Sequence, residues 1–323
     1  MIEAEHPQDP KLPPGKPSPR DGTVLLFLAL FGLLFSWSSW QRDFSDPDEC
    51  LFAVIAGNME AGSGWIVPRF AGEPFLELPP LAGWLAALLH RATGLDPLVS
   101  YRLPVTLAAV FGLWLTYCAG KKLFDGRVGF LALLIQASTY FYFRRSSWLD
   151  DDLYFAVSCQ LALTAFALAT RKGAGPLPGM LGWLGLAGAA LSKSALLAFI
   201  LVFGPLLFFL FLEGGLSAVT RGFRKMRSRR GILLFLLVAV PWYVAAGWKM
   251  GAELFDAHVL RGHLSRVLDS PIDKQLPSFY LIHLLLDFLP WTLFLPLGLL
   301  HAKDRLQRDG ERLGLTWALF TLL

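Results

Sequence analysis

The residues that could do chemistry are charged side chains placed between long apolar segments. Asp48 and Glu49 follow Asp46 and Pro47, which suit the N-cap and the first position of a helix, and apolar side chains recur at helical spacing over 51–59. Glu49 also stands three residues after Asp46, the spacing of a capping box. The two acids therefore either cap a helix whose apolar face lies on a membrane surface, or are carboxylates available for reaction.

Two more charged residues punctuate the aromatic, proline-bearing segment that follows. Arg69 and Glu77 lie within residues 64–84. In one interpretation they are snorkelling charges of an amphipathic surface loop. In the other, Arg69 binds a lipid phosphate and Glu77 binds a metal or a sugar hydroxyl.

Charged side chains also stand at the ends of later apolar segments. The triplet Asp150–Asp152 must be well solvated or neutralised by Arg144, Arg145 or a cation, because adjacent carboxylates repel one another. Lys193 interrupts two apolar segments, and a lysine so near hydrocarbon marks function or snorkels to the interface. A late polar segment holds two histidine–arginine pairs at i,i+3 spacing, His258–Arg261 and His263–Arg266.

Membrane-spanning helices must position these side chains. Of the 323 residues, 54% are hydrophobic, and the mean hydropathy is +0.50. The predicted fold is an all-α polytopic membrane protein with about eight to nine transmembrane helices and with interfacial helices in the first outer loop. The predicted spans are Thr23–Trp40, Leu103–Gly120, Gly129–Phe143, Leu153–Thr170, Gly179–Leu191, Ala195–Leu212, Ile232–Trp248, Phe279–Leu300 and a run from Leu313.

The charges of the loops orient this fold. The apolar part of Leu81–Gly94 is too short to span, so we expect this segment to lie in the interface. Basic loops near 121–127, 171–172, 221–230 and 303–312 then face the cytoplasm, as the positive-inside rule requires. The acidic residues, Lys193 and the loop 249–278 all fall on the outer side, where an active site would unite them.

Several short motifs follow one another in a defined order. They are DExxFxxIAxxM at Asp48–Met59, WIVPRFAGEPFLELPP at Trp65–Pro80, YRLP at Tyr101–Pro104, KKLFDGRVGFLA at Lys121–Ala132, LDDDLYF at Leu149–Phe155, LSKS at Leu191–Ser194, PWYV at Pro241–Val244 and LPW at Leu289–Trp291. Over residues 27–323 this pattern resembles C-type integral-membrane glycosyltransferases. The resemblance is to the group of lipid A aminoarabinose transferases and, more distantly, to protein O-mannosyltransferases.

This resemblance implies an inverting sugar transfer from a polyprenyl-phosphate donor to a lipid, glycan or protein acceptor. The reaction would take place on the outer side of a bacterial inner membrane, as in lipid A modification or protein glycosylation of the cell envelope. Residues 1–22 would be a disordered cytoplasmic tail and 23–323 a transmembrane glycosyltransferase-like domain. That domain includes a first outer loop at 41–100 and a late outer loop at 249–278, and its C-terminus is expected to be shortened.

The resemblance also implies roles for individual residues. Asp48 matches the catalytic aspartate and would be the general base, with Glu49 orienting it or binding acceptor. Asp151, flanked by Asp150, matches the acid of the second outer loop. Lys193 would bind the lipid phosphate, with Arg69 or Arg145 as further phosphate ligands. His263 and Arg266 match a histidine–arginine pair, and His263 with Glu77 would form a divalent-metal site.

Two departures keep an alternative open. Leu78 stands where relatives have a lysine, and Leu51 where they often have an arginine. The alternative is a non-catalytic lipid-sugar binding scaffold, or a transporter that retains the fold. The sequence shows no internal repeat, and its polar groups cluster at one interface, which favours the enzyme over a transporter. The polybasic stretch 220–230 indicates topology and contact with membrane lipids, not nucleic acid.

Overall fold

The computed structural model describes residues 19–171, 173–226, 229–258, 277–303 and 309–322. The helices are α1 Asp21–Ser39, α2 Pro47–Glu60, α3 Leu81–Thr93, α4 Pro97–Ser100, α5 Leu103–Leu123, α6 Gly126–Ser138, α7 Tyr140–Arg145, α8 Asp152–Ala169, α9 Pro176–Ser192, α10 Ala195–Met226, α11 Arg229–Val238, α12 Val240–Met250, α13 Ala252–Phe255, α14 Pro277–Asp287, α15 Leu295–Lys303 and α16 Asp309–Leu322. Two short antiparallel strands, β1 Arg69–Phe70 and β2 Glu73–Pro74, form a hairpin between α2 and α3.

The apolar helices confirm a polytopic helical membrane fold. Four helical segments within the described ranges are long and apolar enough to cross a bilayer: Pro97–Leu123, Asp152–Ala169, Ala195–Met226 and Arg229–Met250. Asp21–Trp37 and Gly126–Ser138 are apolar but shorter. The number of eight to nine spans therefore stays a prediction.

Three of the predicted spans are interrupted. The run Gly129–Phe143 divides into α6 and α7 because Thr139 has extended backbone angles. The run Ile232–Trp248 divides into α11 and α12 beside Pro241, which has no N–H to continue the helical ladder. The run Phe279–Leu300 divides into α14 and α15 around a 3₁₀ turn at Trp291–Phe294. Apolar length alone predicted none of these breaks.

Helices α8 and α9 pack so closely that only glycine fits at their contact. A Cβ atom at Gly185 would stand 2.7 Å from the backbone N of Ala162 and 2.7 Å from the carbonyl oxygen of Ser158. Small residues let helix backbones approach in this way. Because α8 begins at Asp152 and α9 ends at Ser192, this antiparallel contact brings the acidic triplet and Lys193 to the same end of the helices.

The apolar face of α2 contacts protein. Phe52, Ile55, Ala56 and Met59 are buried, and a side chain at Gly83 of α3 would meet Ile55 and Met59. The expectation that this face lies on the membrane surface is therefore wrong, because the small residues of α3 let α3 cover it. At about 20 Å, the 13-residue α3 is too short for a hydrocarbon core of about 30 Å, which supports its expected interfacial position.

Basic loops gather at the end opposite Asp152 and Lys193. Lys121 of α5 pairs with Asp21 of α1 at 3.1 Å, and Arg171 Nη1 donates to the carbonyl of Lys122 at 2.7 Å. Lys225 Nζ donates to the carbonyl of Thr170 at 2.7 Å. The separation of basic loops from the acidic triplet is the arrangement predicted from the loop charges.

Candidate active site

Local capping sets the start of α2, where the candidate base lies. Asp46 is the N-cap, its side chain accepts from the Asp48 backbone N–H at 3.0 Å, and Pro47 occupies the first helical position. The Asp48 side chain is exposed, and its carboxylate forms no ion pair or hydrogen bond with any other residue in the described ranges. Asp48 is therefore a solvent-accessible carboxylate on a firmly capped helix.

Glu49 does not close a capping box; its carboxylate lies in a buried charge network. The side chain is fully buried and accepts from Arg102 Nε and Nη2, both at 3.0 Å. It also accepts from Arg42 Nη1 at 2.6 Å and Nη2 at 3.1 Å, and from the Leu149 backbone N–H at 3.0 Å. Of the two roles expected for Glu49, this burial favours orientation of Asp48, through the position of α2, over contact with an acceptor.

The pKa of Glu49 follows from this network. Burial raises the pKa, but the hydrogen bonds from Arg102, Arg42 and the Leu149 N–H outweigh it, so the net pKa is below the ordinary value of a glutamate. Glu49 is therefore ionised in the folded protein. It offers no proton to a reaction.

Sequence reasoning missed the two arginines of this network. Arg102 is fully buried, and it also donates to the carbonyls of Arg42 at 2.8 Å and Asp43 at 3.1 Å. Arg42 donates to the carbonyl of Ser147 at 2.9 Å. The available signal was Arg102 directly before the apolar run of α5, since an arginine buried there needs an acidic partner.

The network connects α2 to the acidic triplet. The Leu149 backbone N–H donates to the Glu49 carboxylate, and Leu149 directly precedes Asp150. Asp48 and the triplet therefore belong to two segments that share a hydrogen bond. The structure thus joins two groups that lie about a hundred residues apart in the sequence.

Two cations pair with the triplet. Arg145 Nη1 pairs with Asp150, and Arg145 Nη2 lies 3.7 Å from Asp152 Oδ2. Lys193 Nζ pairs with Asp152 and lies 3.5 Å from Asp151 Oδ2. Of the neutralising groups considered from the sequence, Arg145 fulfils that role, and Lys193, expected on a lipid phosphate, is held by carboxylates.

Burial changes the protonation of Asp150 and Asp151. Burial, together with the neighbouring carboxylates, raises the pKa of Asp150 to about 7 against the lowering effect of Arg145. Burial raises the pKa of Asp151 to about 6, against the lowering effect of Lys193. For Lys193 itself, burial lowers the pKa, but Asp151 and Asp152 raise it more, so the ammonium stays charged. Asp150 and Asp151 can therefore exchange protons near neutral pH.

Three buried polar atoms beside the triplet have no hydrogen-bond partner in the described part of the chain. They are Asp151 Oδ2, the Tyr154 hydroxyl and Trp148 Nε1. Unsatisfied buried polar groups are uncommon, because each one costs about 1–3 kcal/mol.

Arg69 and Glu77, two charged residues of the first outer loop, lie in different surroundings. Arg69 is exposed in β1, where its Nη1 donates to the carbonyl of Gly72 at 2.8 Å. Glu77 is partly buried, and its carbonyl accepts from His258 Nδ1 at 3.0 Å. The late outer loop thus reaches Glu77 through His258. Leu78 and Leu51 pack against the apolar core.

The predicted metal pair is not fully within the described residues. His263 and Arg266 lie outside them, as does Arg261. Within the described ranges, no group of three or more His, Cys, Asp or Glu side chains could hold a metal ion. The pairing of Glu77 with His263 stays a prediction.

An apolar cavity of about 390 Å³ opens beside the triplet. Its polar end is formed by Arg145 and Asp152, and its walls come from α5, α6, α7, α8 and α16. A second cavity of about 450 Å³ shares Thr116, Gln160 and Trp317 with it and extends towards the basic end of the helices. The two cavities are therefore neighbours, and the first of them begins at the charged site.

Comparison with known proteins identifies similar chains. A family model described as dolichyl-phosphate-mannose-protein mannosyltransferase matches residues 77–244. The undecaprenyl phosphate-alpha-4-amino-4-deoxy-L-arabinose arabinosyl transferase 1 of Pseudomonas fluorescens is 25% identical over 311 residues, which covers 92% of this chain and 54% of that protein. The corresponding transferase of Shewanella sediminis is 28% identical and covers 93% and 53%.

A solved structure shares the fold. The crystal structure of ArnT from Cupriavidus metallidurans bound to undecaprenyl phosphate matches with a TM-score of 0.77 and 21% identity, over 94% of this chain and 56% of that one. The chain therefore spans about half the length of the curated relatives and of the solved structure that it matches.

Proposed function

Because the chain belongs to the dolichyl-phosphate-mannose-protein mannosyltransferase family, we propose that it is a membrane glycosyltransferase with a polyprenyl-phosphate sugar donor. The acceptor is a lipid, a glycan or a protein. The observation that carries the proposal is the exposed Asp48 carboxylate on a helix anchored by Glu49 and Arg102. A hydrogen bond to Glu49 links this helix to the segment of Asp150 and Asp151, whose pKa values are raised to about 7 and about 6. The relatives named as undecaprenyl phosphate aminoarabinose transferases support this donor class.

The reaction is a displacement at the anomeric carbon of the sugar. Asp48 accepts the proton of the acceptor hydroxyl or amine as that group attacks the anomeric carbon. The bond from this carbon to the phosphate oxygen breaks, its electron pair stays with the phosphate, and the configuration inverts. General-base catalysis of this kind contributes about 10²–10⁴ in rate.

The triplet and its cations serve the donor. The Tyr154 hydroxyl and Asp151 Oδ2, which accept and donate no hydrogen bond within the described residues, would hydrogen-bond sugar hydroxyls, and Lys193 lies 3.5 Å from Asp151 Oδ2. Lys193 and Arg145 offset the charge that develops on the leaving phosphate. Protonation of Asp150, whose pKa is about 7, would reduce repulsion between that phosphate and the carboxylates.

We place the site on the outer side of a bacterial inner membrane. The support is the separation of charges: the basic loops around Lys121, Arg171 and Lys225 meet at the end opposite the acidic triplet. Glu77 and His263 remain our proposed ligands for a divalent cation, which would supply positive charge beside a phosphate. The described part of the chain holds only Glu77 of that pair, and no step above depends on the metal.

The test is sugar transfer by membranes that carry the wild-type protein, Asp48→Asn or Asp46→Asn, supplied with a radiolabelled polyprenyl-phosphate donor pool. Asp48→Asn is expected to lower the rate by about 10²–10⁴. Asp46→Asn is the matched control, because it removes a charge two residues away while asparagine still caps the helix.

Equal rates for Asp48→Asn and wild type would refute Asp48 as the base. A wild-type protein that binds polyprenyl phosphate but transfers no sugar would refute the enzyme and favour the non-catalytic scaffold.

A further inference from the structure

One arginine beside the triplet has no acidic partner among the described residues. Arg144 is exposed at the end of α7, and its guanidinium lies over the Trp148 ring, 4.6 Å from the centroid. Across the residues that the structure describes, it forms no ion pair. Its neighbours differ: Arg145 is held by Asp150, Lys193 by Asp152, and Arg42 by Glu49. Of the cations that contact the triplet or the Trp148 ring, Arg144 is the one without an ion pair in the described residues, so its guanidinium is available to a ligand.

The surrounding charges explain why a further cation is needed for an anionic ligand. The triplet carries three negative charges when ionised, and Arg145 and Lys193 supply two positive charges. The excess of one negative charge would repel a phosphate. A guanidinium without a carboxylate partner can offer its donors to phosphate oxygens in a forked geometry.

The Trp148 ring restricts where this guanidinium can lie. Arg42 also lies over the ring, at 4.4 Å from the centroid, and is itself fixed by Glu49 and by the Ser147 carbonyl. A cation over an indole face is stabilised by about 0.5–2 kcal/mol. Stacking of this kind leaves the N–H groups at the edge of the guanidinium free to donate. Arg144 is thus held in place without being neutralised.

The apolar cavity beside Arg145 accounts for the other half of a lipid ligand. Arg145 lines the cavity of about 390 Å³, lies over the Phe141 ring at 5.3 Å and directly follows Arg144 in the chain. Apart from its charged end, the cavity is walled mainly by apolar and aromatic side chains. A cation at the mouth of an apolar cavity fits a ligand with an anionic head and a hydrocarbon chain.

We propose that Arg144, stacked on Trp148, binds the phosphate of the lipid-linked donor, and that the cavity walled by Ala156 and Phe141 holds the first part of its prenyl chain. This inference rests on the proposed function for the identity of the lipid. The shared chemistry is a lipid phosphate, for which the other source is the head group of a bulk anionic phospholipid.

The test separates head from chain by comparing two probes, polyprenyl phosphate and the corresponding polyprenol. The protein is placed in phosphatidylcholine nanodiscs and the dissociation constant of each probe is measured. Arg144→Gln is expected to raise the dissociation constant of polyprenyl phosphate by about 10- to 100-fold, which is the effect of losing a hydrogen bond to a charged group. The dissociation constant of polyprenol should stay unchanged. Arg144→Lys restores binding only in part.

The matched control is Arg91→Gln. Arg91 is also an exposed arginine over a tryptophan, Trp65, at 5.9 Å, but it is part of α3 and not of the site. The Arg91→Gln protein is expected to bind both probes as the wild-type protein does. Ala156 lines the cavity and is otherwise exposed. Ala156→Phe is therefore expected to weaken the binding of both probes, and Ala156→Ser is expected to change the binding of neither.

Two outcomes overturn the inference. One is an Arg144→Gln dissociation constant for polyprenyl phosphate within about twofold of that of Arg91→Gln, a difference too small for one charged hydrogen bond. The other is an effect of Arg144→Gln that appears only when the discs contain phosphatidylglycerol, which assigns Arg144 to bulk head groups. Neither probe carries a sugar, so binding through Arg144 without transfer by wild type would refute the proposed function alone. Transfer by wild type with unchanged binding in Arg144→Gln would refute this inference alone.

Discussion

The buried pair of Glu49 and Arg102 should dominate the stability of the first outer loop. Both side chains are fully buried, with two hydrogen bonds of 3.0 Å between them. Arg102→Met removes these two bonds and two more to backbone carbonyls, at 2.8 and 3.1 Å. Breaking a buried pair costs about 3–5 kcal/mol. Because Arg42 still pairs with Glu49 in Arg102→Met, we expect the lower end of this range, a factor of about 10² in the unfolding equilibrium.

The double variant gives the sharper expectation. Glu49→Gln alone leaves the Arg102 charge buried with no carboxylate partner in the network, so we expect a loss similar to that of Arg102→Met. Glu49→Gln with Arg102→Met contains neither buried charge, and Arg42 stays partly solvated. The double variant should therefore be more stable than the sum of the single losses predicts, by about 2 kcal/mol or more.

The assay is unfolding of the purified protein in mixed micelles with increasing dodecyl sulfate, followed by tryptophan fluorescence. Arg91→Gln serves as the control for loss of an exposed arginine. Additive losses within about 0.5 kcal/mol would refute the argument, because they would show that the two residues do not act through each other. An Arg102→Met protein as stable as the control would refute it as well.

Two further predictions follow from protonation and from packing. Burial raises the pKa of Asp150 to about 7, so the folded state binds a proton that the unfolded chain releases near pH 4, and stability falls as the pH rises between these values. Unfolding of Asp150→Asn should show a shallower slope that ends near pH 6, because Asp151, with a pKa of about 6, still contributes. Glu49, with its lowered pKa, should lose its stabilising contribution only as the pH falls towards 4 and below. Gly185→Ala should destabilise the protein by about 1–3 kcal/mol, because its Cβ would stand 2.7 Å from backbone atoms of α8. It should also lower sugar transfer, because the shift of α9 would displace Lys193 from Asp152. Gly298→Ala, with open space around its Cβ, should have neither effect in the same unfolding and transfer assays.

Features that depend on neighbouring residues could be predicted from the sequence. Asp46 caps α2 and Pro47 occupies its first position, as their types and spacing indicated. The short α3 and the gathering of basic loops opposite the triplet also followed from apolar length and loop charge. Each of these features depends on the length of an apolar segment, on local backbone geometry or on charges nearby in the sequence.

The pairing of the charges could not be predicted in this way. The spacing of Glu49 from Asp46 predicted a capping box, whereas its partners are Arg102 and the N–H of Leu149, 53 and 100 residues further along the chain. The phosphate role of Lys193 stays a prediction, but its pairing with the acidic triplet results from the packing of α8 against α9. These partners are brought together by helix packing, which local spacing does not encode.

By itself, the sequence determined the membrane class, the helical fold, the capped start of α2 and the set of charged residues from which a site could be built. Only the tertiary structure decided which of those charges are neutralised. Glu49, Arg145 and Lys193 are paired, and Asp48 and Arg144 form no ion pair within the described residues. The reason is physical: residue type sets a charge, but burial and the approach of distant segments set its partner, its pKa and its access to a ligand.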